Sequence, residues 1–274
     1  MNDVPMGVAT RDYAGGKMLA VKDDGVGLVT FNQPEKRNAM SLEMWTGLGE
    51  ILDEFAEDSS VRVVILTGAG NKAFVSGADI SQFEKNRSNA DAQQEYERQA
   101  GVGRAKYAAF PKPIVARIRG FCLGGGLAIA MQADLRIAAV DSQFGIPAAK
   151  LSIAYAPDSV KRLIDLVGPA HARMILYTAH RIDATEAERI GLINKVVADA
   201  ELNDHVLDIA RTIADNAPLS VAASKLTINE MLKDESQRDM AAIKRMSEIC
   251  FNSADYKEGR TAFMEKRAPK WLGR

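Results

Sequence analysis

The run VRVVILT at residues 61–67 limits the possible folds more than any other stretch of this chain. It is continuous, β-branched and without polar alternation, the pattern of a strand buried on both faces. Such strands belong to parallel sheets with helices layered over them. Ile114 to Ile118 and Leu135 to Ala139 repeat the pattern. Helical segments lie between: Ser41 caps an amphipathic helix running to about Ala56, and a polar helix from roughly Asn89 to Ala109 stops at Pro111 and Pro113. Near the N-terminus, Lys17 to Val21 and Val26 to Phe31 flank Asp23-Asp24-Gly25, a hairpin signal, and Gln33 to Ala39 reads as a polar loop. Alternating strands and helices predict a layered α/β domain. From about Leu202 the strand runs stop, and helical periodicity continues to the C-terminus with breaks at Pro218 and near Asn252 to Ala254. We therefore expect an α/β unit over residues 1–201 and a helical region over 202–274, whose apolar stripes need a further surface to cover them.

Two glycine-rich segments each follow a buried strand. One is GFCLGGGLAIAMQAD, Gly120 to Asp134, and the other is FVSGADI, Phe74 to Ile80. Glycine is a poor helix residue, so three in a row at a helix start call for a reason. The first N–H groups of a helix lack intrahelical partners and favour negative charge, and glycine lets a ligand approach them. The spacing is not GxGxxG, and no Gly-Lys-Ser/Thr of a P-loop is present. Close packing of helix on strand is the rival explanation for the glycines. Two such loops, each at the C-terminal end of a buried strand, can instead point their amides at one oxygen, which is an oxyanion hole.

Composition narrows the classes. Lys plus Arg (35) balances Asp plus Glu (36), which disfavours nucleic-acid and membrane-surface partners. The three histidines have no metal-ligand spacing, and no GxSxG elbow occurs. Cys122 and Cys250 form no CxxC and read as small buried residues of a reducing compartment. MNDVPMGVATRDY has no apolar core of a signal peptide. The expectation is a cytoplasmic, soluble, metal-free protein.

The segments NQPEKRNAMS, FVSGADI, GFCLGGGLAIAMQADLRIA, FGIP, AERIGLINKVV and AFMEKR, in this order and spacing, resemble the crotonase superfamily, the enoyl-CoA hydratase/isomerase family. The resemblance covers nearly the whole chain. It implies a spiral of ββα repeats, a C-terminal trimerisation region with trimers often paired as hexamers, and an acyl-CoA thioester ligand, as in fatty acid metabolism, with no cofactor beyond the CoA of the substrate. By position, the backbone amides of Ala78 and Gly125 would form the oxyanion hole. Lys36, Arg37, Ala39, Ser76, Asp79 and Ile80 would line the CoA path, although Asp79, like Asp134, follows a position that reads as structural. Phe263 and Lys266 would reach the nucleotide end of CoA, sometimes in a neighbouring subunit.

The sequence leaves the family pattern at the chemistry. The two glutamates that serve hydration as acid and base correspond to Ala128 and Ala148, and neither alanine can move a proton. Tyr155 falls where the methylmalonyl-CoA decarboxylase branch has its active-site tyrosine, and SADYKEGRTAFMEKR resembles that branch too, although the branch has histidine at the position of Ala78. Asp158 and Lys150 lie near the same loop and read more simply as a turn aspartate and a surface lysine. Three readings follow: an acyl-CoA lyase or isomerase without Glu-pair hydration, a decarboxylase of a malonyl-type CoA ester, and a CoA-ester binding protein without catalysis.

Overall fold

The computed structural model describes residues 9–79 and 90–274. Ile80 and the start of the polar helix at Asn89 lie outside the described residues. Strands β1 (Arg11–Tyr13), β2 (Met18–Asp23) and β3 (Val26–Phe31) form an antiparallel meander. Asp24 and Gly25 both have positive φ (44° and 81°) between β2 and β3, as a two-residue hairpin turn of this kind requires. Helix α1 (Leu42–Glu57) follows, with the Ser41 side chain accepting from the Met44 amide as the sequence predicts.

The chain then repeats one unit. A long strand joins the first sheet, a short strand joins a second sheet, and a helix follows. The units are β4 (Val63–Gly68), β5 (Ala73–Val75) and α2 (Ala90–Ala109); β6 (Ile114–Ile118), β7 (Phe121–Leu123) and α3 (Gly125–Gln132); and β8 (Leu135–Ala139), β9 (Gln143–Gly145) and α4 (Pro157–Thr178). Helix α4 is broken at Gly168, just before Pro169. Then come β10 (Ile182–Asp183), α5 (Ala184–Arg189) and β11 (Lys195–Val197). The first sheet has seven strands in the order β1-β2-β3-β4-β6-β8-β11, parallel from β3 onward, and the second has four in the order β10-β9-β7-β5. This is the expected ββα spiral. Gly120 makes the corner between β6 and β7 at φ 67°, where a Cβ would lie 2.2 Å from the Lys72 carbonyl oxygen.

The second sheet is harder to see in the sequence, because its strands are two or three residues long and carry no periodicity of their own. The uninterrupted apolar run of β4 does have a physical cause. Val64 and Leu66 face the main core with Phe31, Phe74 and Phe144, while Val63 and Ile65 face a second core. That second core is closed by Leu202, Val206, Ala210 and Ala214, one stripe of α6 (Leu202–Ala214). The boundary expected at 201/202 thus falls just before a helix that packs on the sheet. Helices α7 (Pro218–Met231), α8 (Met240–Asn252) and α9 (Ala254–Glu265) follow, and α8 buries no residue. Ile228, Met240, Ile249 and Phe251 are more than half exposed there. No helix among the described residues is long and apolar enough to cross a membrane.

Candidate active site at two glycine loops

Strands β5 and β7 are parallel neighbours, so the loops leaving their C-terminal ends emerge side by side. The first loop, Ser76 to Asp79, is clamped by the polar segment before α1. The Ser76 amide donates to Arg37 O (3.1 Å), Met40 N to Gly77 O (2.8 Å), and Asp79 N to Met40 O (2.9 Å). A parallel bridge between Met40 and Ala78 uses the groups on either side of Ala78 and turns its own amide the other way. Asn38, fully buried, donates to Ala69 O and Ala73 O and accepts from the Gln33 amide. It ties the segment to both strand ends. The Lys36 ammonium donates to Asp79 Oδ2 at 2.8 Å, and this bond holds the Lys36 pKa above its usual value. Lys36 and Asp79 therefore brace the loop through each other.

In the second loop the three glycines have separate tasks. Gly124 adopts φ 52° and ψ −117°, a conformation that side chains avoid, and its amide donates to Gly145 O at 2.8 Å. Gly125 begins α3. A Cβ there would stand 3.7 Å from Ala78 N and 3.8 Å from Gly77 C, so the space beside this residue opens onto the other loop. Gly126 is pressed on β5, where a Cβ would lie 1.9 Å from Val75 O. Close packing thus explains Gly126, whereas Gly125 keeps a gap clear. Among the described residues, the amides of Ala78 and Gly125 donate to no protein group. Two free amides flank one gap, with the N-terminus of α3 adding its dipole.

Of the remaining candidates, Ala128, Ala148 and Tyr155 lie near the Gly124 turn. Ala128 is half-buried in α3, and Ala148 is buried in a 3-10 turn, Pro147–Lys150, whose Pro147 abuts the Gly124 turn. Tyr155 donates its hydroxyl to Gly124 O at 2.9 Å. Burial pushes its pKa well up, with the Cys122 thiol adding to the rise and Ser159 opposing it, so the phenol stays protonated at neutral pH. Lys150 and Asp158 are exposed. Ala39 is buried and Ser76 half-buried beside the first loop. Phe263 (83% exposed) and Lys266 stand at the end of α9, whose main packing partner is α8.

Arg181 escaped the sequence reading. Arg37 and Arg181 both stack on Phe121, with guanidinium carbons 5.5 and 4.9 Å from the ring centroid. Neither has a carboxylate partner among the described residues. Arg181 comes from the segment before β10 and has no motif of its own; only the second sheet brings it to the Arg37 loop.

A ββα spiral of this topology is the fold of the family that the sequence resembles. The sequence profile of the enoyl-CoA hydratase/isomerase family matches residues 21–274, and the chain belongs to this family, within the crotonase superfamily. It is 38% identical over 250 residues to a short-chain-enoyl-CoA hydratase of Clostridium acetobutylicum, covering 91% of this chain and 95% of that one. It is also 38% identical over 260 residues to a crotonyl-CoA hydratase of Syntrophomonas wolfei, covering 94% and 98%. The crystal structure of an enoyl-CoA hydratase/carnithine racemase from Magnetospirillum magneticum superposes with a TM-score of 0.89 at 35% identity, over 94% of this chain and 96% of that one.

Proposed function

We propose that the amides of Ala78 and Gly125 bind the carbonyl oxygen of an acyl-CoA thioester and stabilise the enolate that forms from it. The observation that carries this reading is the pair of amides, unpartnered among the described residues, facing one gap in which a methyl on Gly125 would sit 3.7 Å from Ala78 N. Preorganised donors of this kind act where charge develops, which is the property an enolate-forming reaction needs. The CoA would run along the Lys36 to Ala39 segment and past Ser76. The guanidinium groups of Arg37 and Arg181, without a carboxylate partner among the described residues, suit its phosphates. Phe263 and Lys266 would meet the nucleotide end from a neighbouring subunit.

The names of the relatives point to hydration of short enoyl-CoA esters, but alanine at 128 and 148 removes both proton-transfer groups, so hydration by a glutamate pair is not open to this protein. Decarboxylation of a malonyl-type ester is the second reading, and those same two alanines favour it. There the C–C bond to the carboxylate breaks, its electrons pass into the thioester as an enolate on the Ala78–Gly125 amides, CO₂ leaves, and solvent protonates the α-carbon. An apolar corner that desolvates the carboxylate assists this step without an acid–base pair. Mass spectrometry of enoyl-, malonyl- and hydroxyacyl-CoA esters after incubation decides between them. Binding by calorimetry with no turnover of any ester would instead identify a CoA-ester binding protein. Turnover is expected to survive a chelator; its loss, with recovery on adding a divalent ion, would contradict metal-free chemistry.

The exposed apolar side chains of α7 and α8, with Phe263 and Met264 of α9, support a trimer or a pair of trimers. Sedimentation at micromolar concentration should give a multiple of three times 29.7 kDa, and a monomer would refute this assembly.

A further inference from the structure

We infer that Tyr155 is a positioning residue that sets the direction of the Gly125 amide by holding the opposite edge of the same peptide group. The inference rests on the oxyanion-hole reading above. The peptide between Gly124 and Gly125 is trans, like every peptide described here, so its C=O and N–H point in opposite directions. The Tyr155 hydroxyl donates to that carbonyl at 2.9 Å, and the Ala128 amide donates to it at 3.1 Å. Fixing the oxygen therefore aims the N–H, and the phenol stands on the far edge of the peptide from the thioester.

The peptide needs this restraint because of its flanks. It lies between two glycines, and its rotation turns on ψ of Gly124 and φ of Gly125, where no Cβ resists a swing. The Ala128 bond alone belongs to a helix's first turn, which frays. A rotated peptide would withdraw one of the two donors from the gap. The hydroxyl supplies a second bond from outside the helix, from the loop between the Pro147–Lys150 turn and α4, and Tyr155 packs against the main core. Because the phenol remains protonated in this buried setting, it serves as a fixed donor. The groups acting on it are the buried Cys122 thiol and the Ser159 hydroxyl. The resemblance to a decarboxylase branch suggests a tyrosine that touches the departing carboxylate; the hydrogen bond to Gly124 O assigns it a different task.

The test uses acetyl-CoA labelled with ¹³C at the carbonyl, a thioester that neither hydration nor decarboxylation consumes. Isotope-edited infrared spectra of the bound ester report polarisation of its carbonyl. In the unmodified protein the stretch should move to lower frequency than in free acetyl-CoA. In Tyr155→Phe, with the fold verified by circular dichroism, most of that displacement should vanish while the dissociation constant changes less than about threefold. Turnover of whichever ester proves to be the substrate should fall about 10-fold, short of the 10²–10³ typical of losing an oxyanion donor outright. Site-specific 3,5-difluorotyrosine at 155 keeps the shape and the donor and should behave as the unmodified protein near pH 7. It should lose the displacement as its more acidic phenol ionises, since a phenolate cannot donate. This variant decides the matter even if the phenylalanine protein does not fold. A full displacement in folded Tyr155→Phe, or one indifferent to ionisation of the difluorotyrosine, overturns the positioning role. No displacement in the unmodified protein despite binding would instead overturn the oxyanion hole itself.

Discussion

Alanine at Gly125 should leave the fold intact and abolish most thioester chemistry, whereas alanine at the very next residue should cripple the fold. At Gly125 the nearest atom to a new Cβ is Ala78 N, at 3.7 Å, an ordinary contact, and the residue opens a helix in which alanine is the better former. Stability should therefore change by less than about 1 kcal/mol. The methyl would occupy the gap between the two amides and hold a carbonyl oxygen away from both. Turnover should fall by about 10²–10³, the typical loss for an oxyanion donor. At Gly126 the same methyl would lie 1.9 Å from Val75 O and 2.6 Å from Val75 C. Both atoms are backbone in a buried strand, so neither can move without breaking the pairing of β5 with β7. The cost should reach about 3 kcal/mol or more, at or beyond the upper end of overpacking in cores. Urea melts and steady-state turnover on the two variants measure both claims. Undiminished turnover in Gly125→Ala would remove the site from this gap.

The second large effect concerns the missing acids. The unmodified protein should hydrate crotonyl-CoA slower than relatives with a glutamate pair by several orders of magnitude, since each lost proton-transfer group typically costs about 10²–10⁴-fold. Contributions within one catalytic unit need not multiply. Ala128→Glu together with Ala148→Glu should raise the rate by at least about 10²-fold. The pair should also lower stability, because residue 148 is buried and a carboxylate there loses hydration. Rapid hydration of crotonyl-CoA by the native chain would contradict the loss of both proton-transfer groups. It would require a proton donor other than the groups seen around the two loops.

Much of this architecture was legible before folding. The β4 run, the Ser41 cap, the Asp24-Gly25 turn and the helical C-terminus each express a local rule: burial on both faces, a satisfied amide, a positive φ, a repeating stripe. The order and spacing of six segments, from NQPEKRNAMS to AFMEKR, were sufficient to place the family. The strands of the second sheet were not legible, because a three-residue strand draws its identity from the neighbour it pairs with rather than from its own pattern.

The residues of this chain by themselves determined that two glycine loops follow two buried strands, that alanine stands at 128 and 148, where the family resemblance implies glutamates, and that a tyrosine lies downstream of the second. Side-chain identity and local propensity are properties of the chain, and no partner is needed to read them. Only the tertiary structure decided which glycine does which work, that Lys36 is spent on Asp79, that Arg181 joins Arg37 on Phe121, and that Tyr155 grips Gly124 O. These are contacts between groups 31 to 84 residues apart, from Tyr155 with Gly124 to Arg37 with Phe121. Their geometry depends on the stacking of two sheets, which sets distances that no local rule encodes.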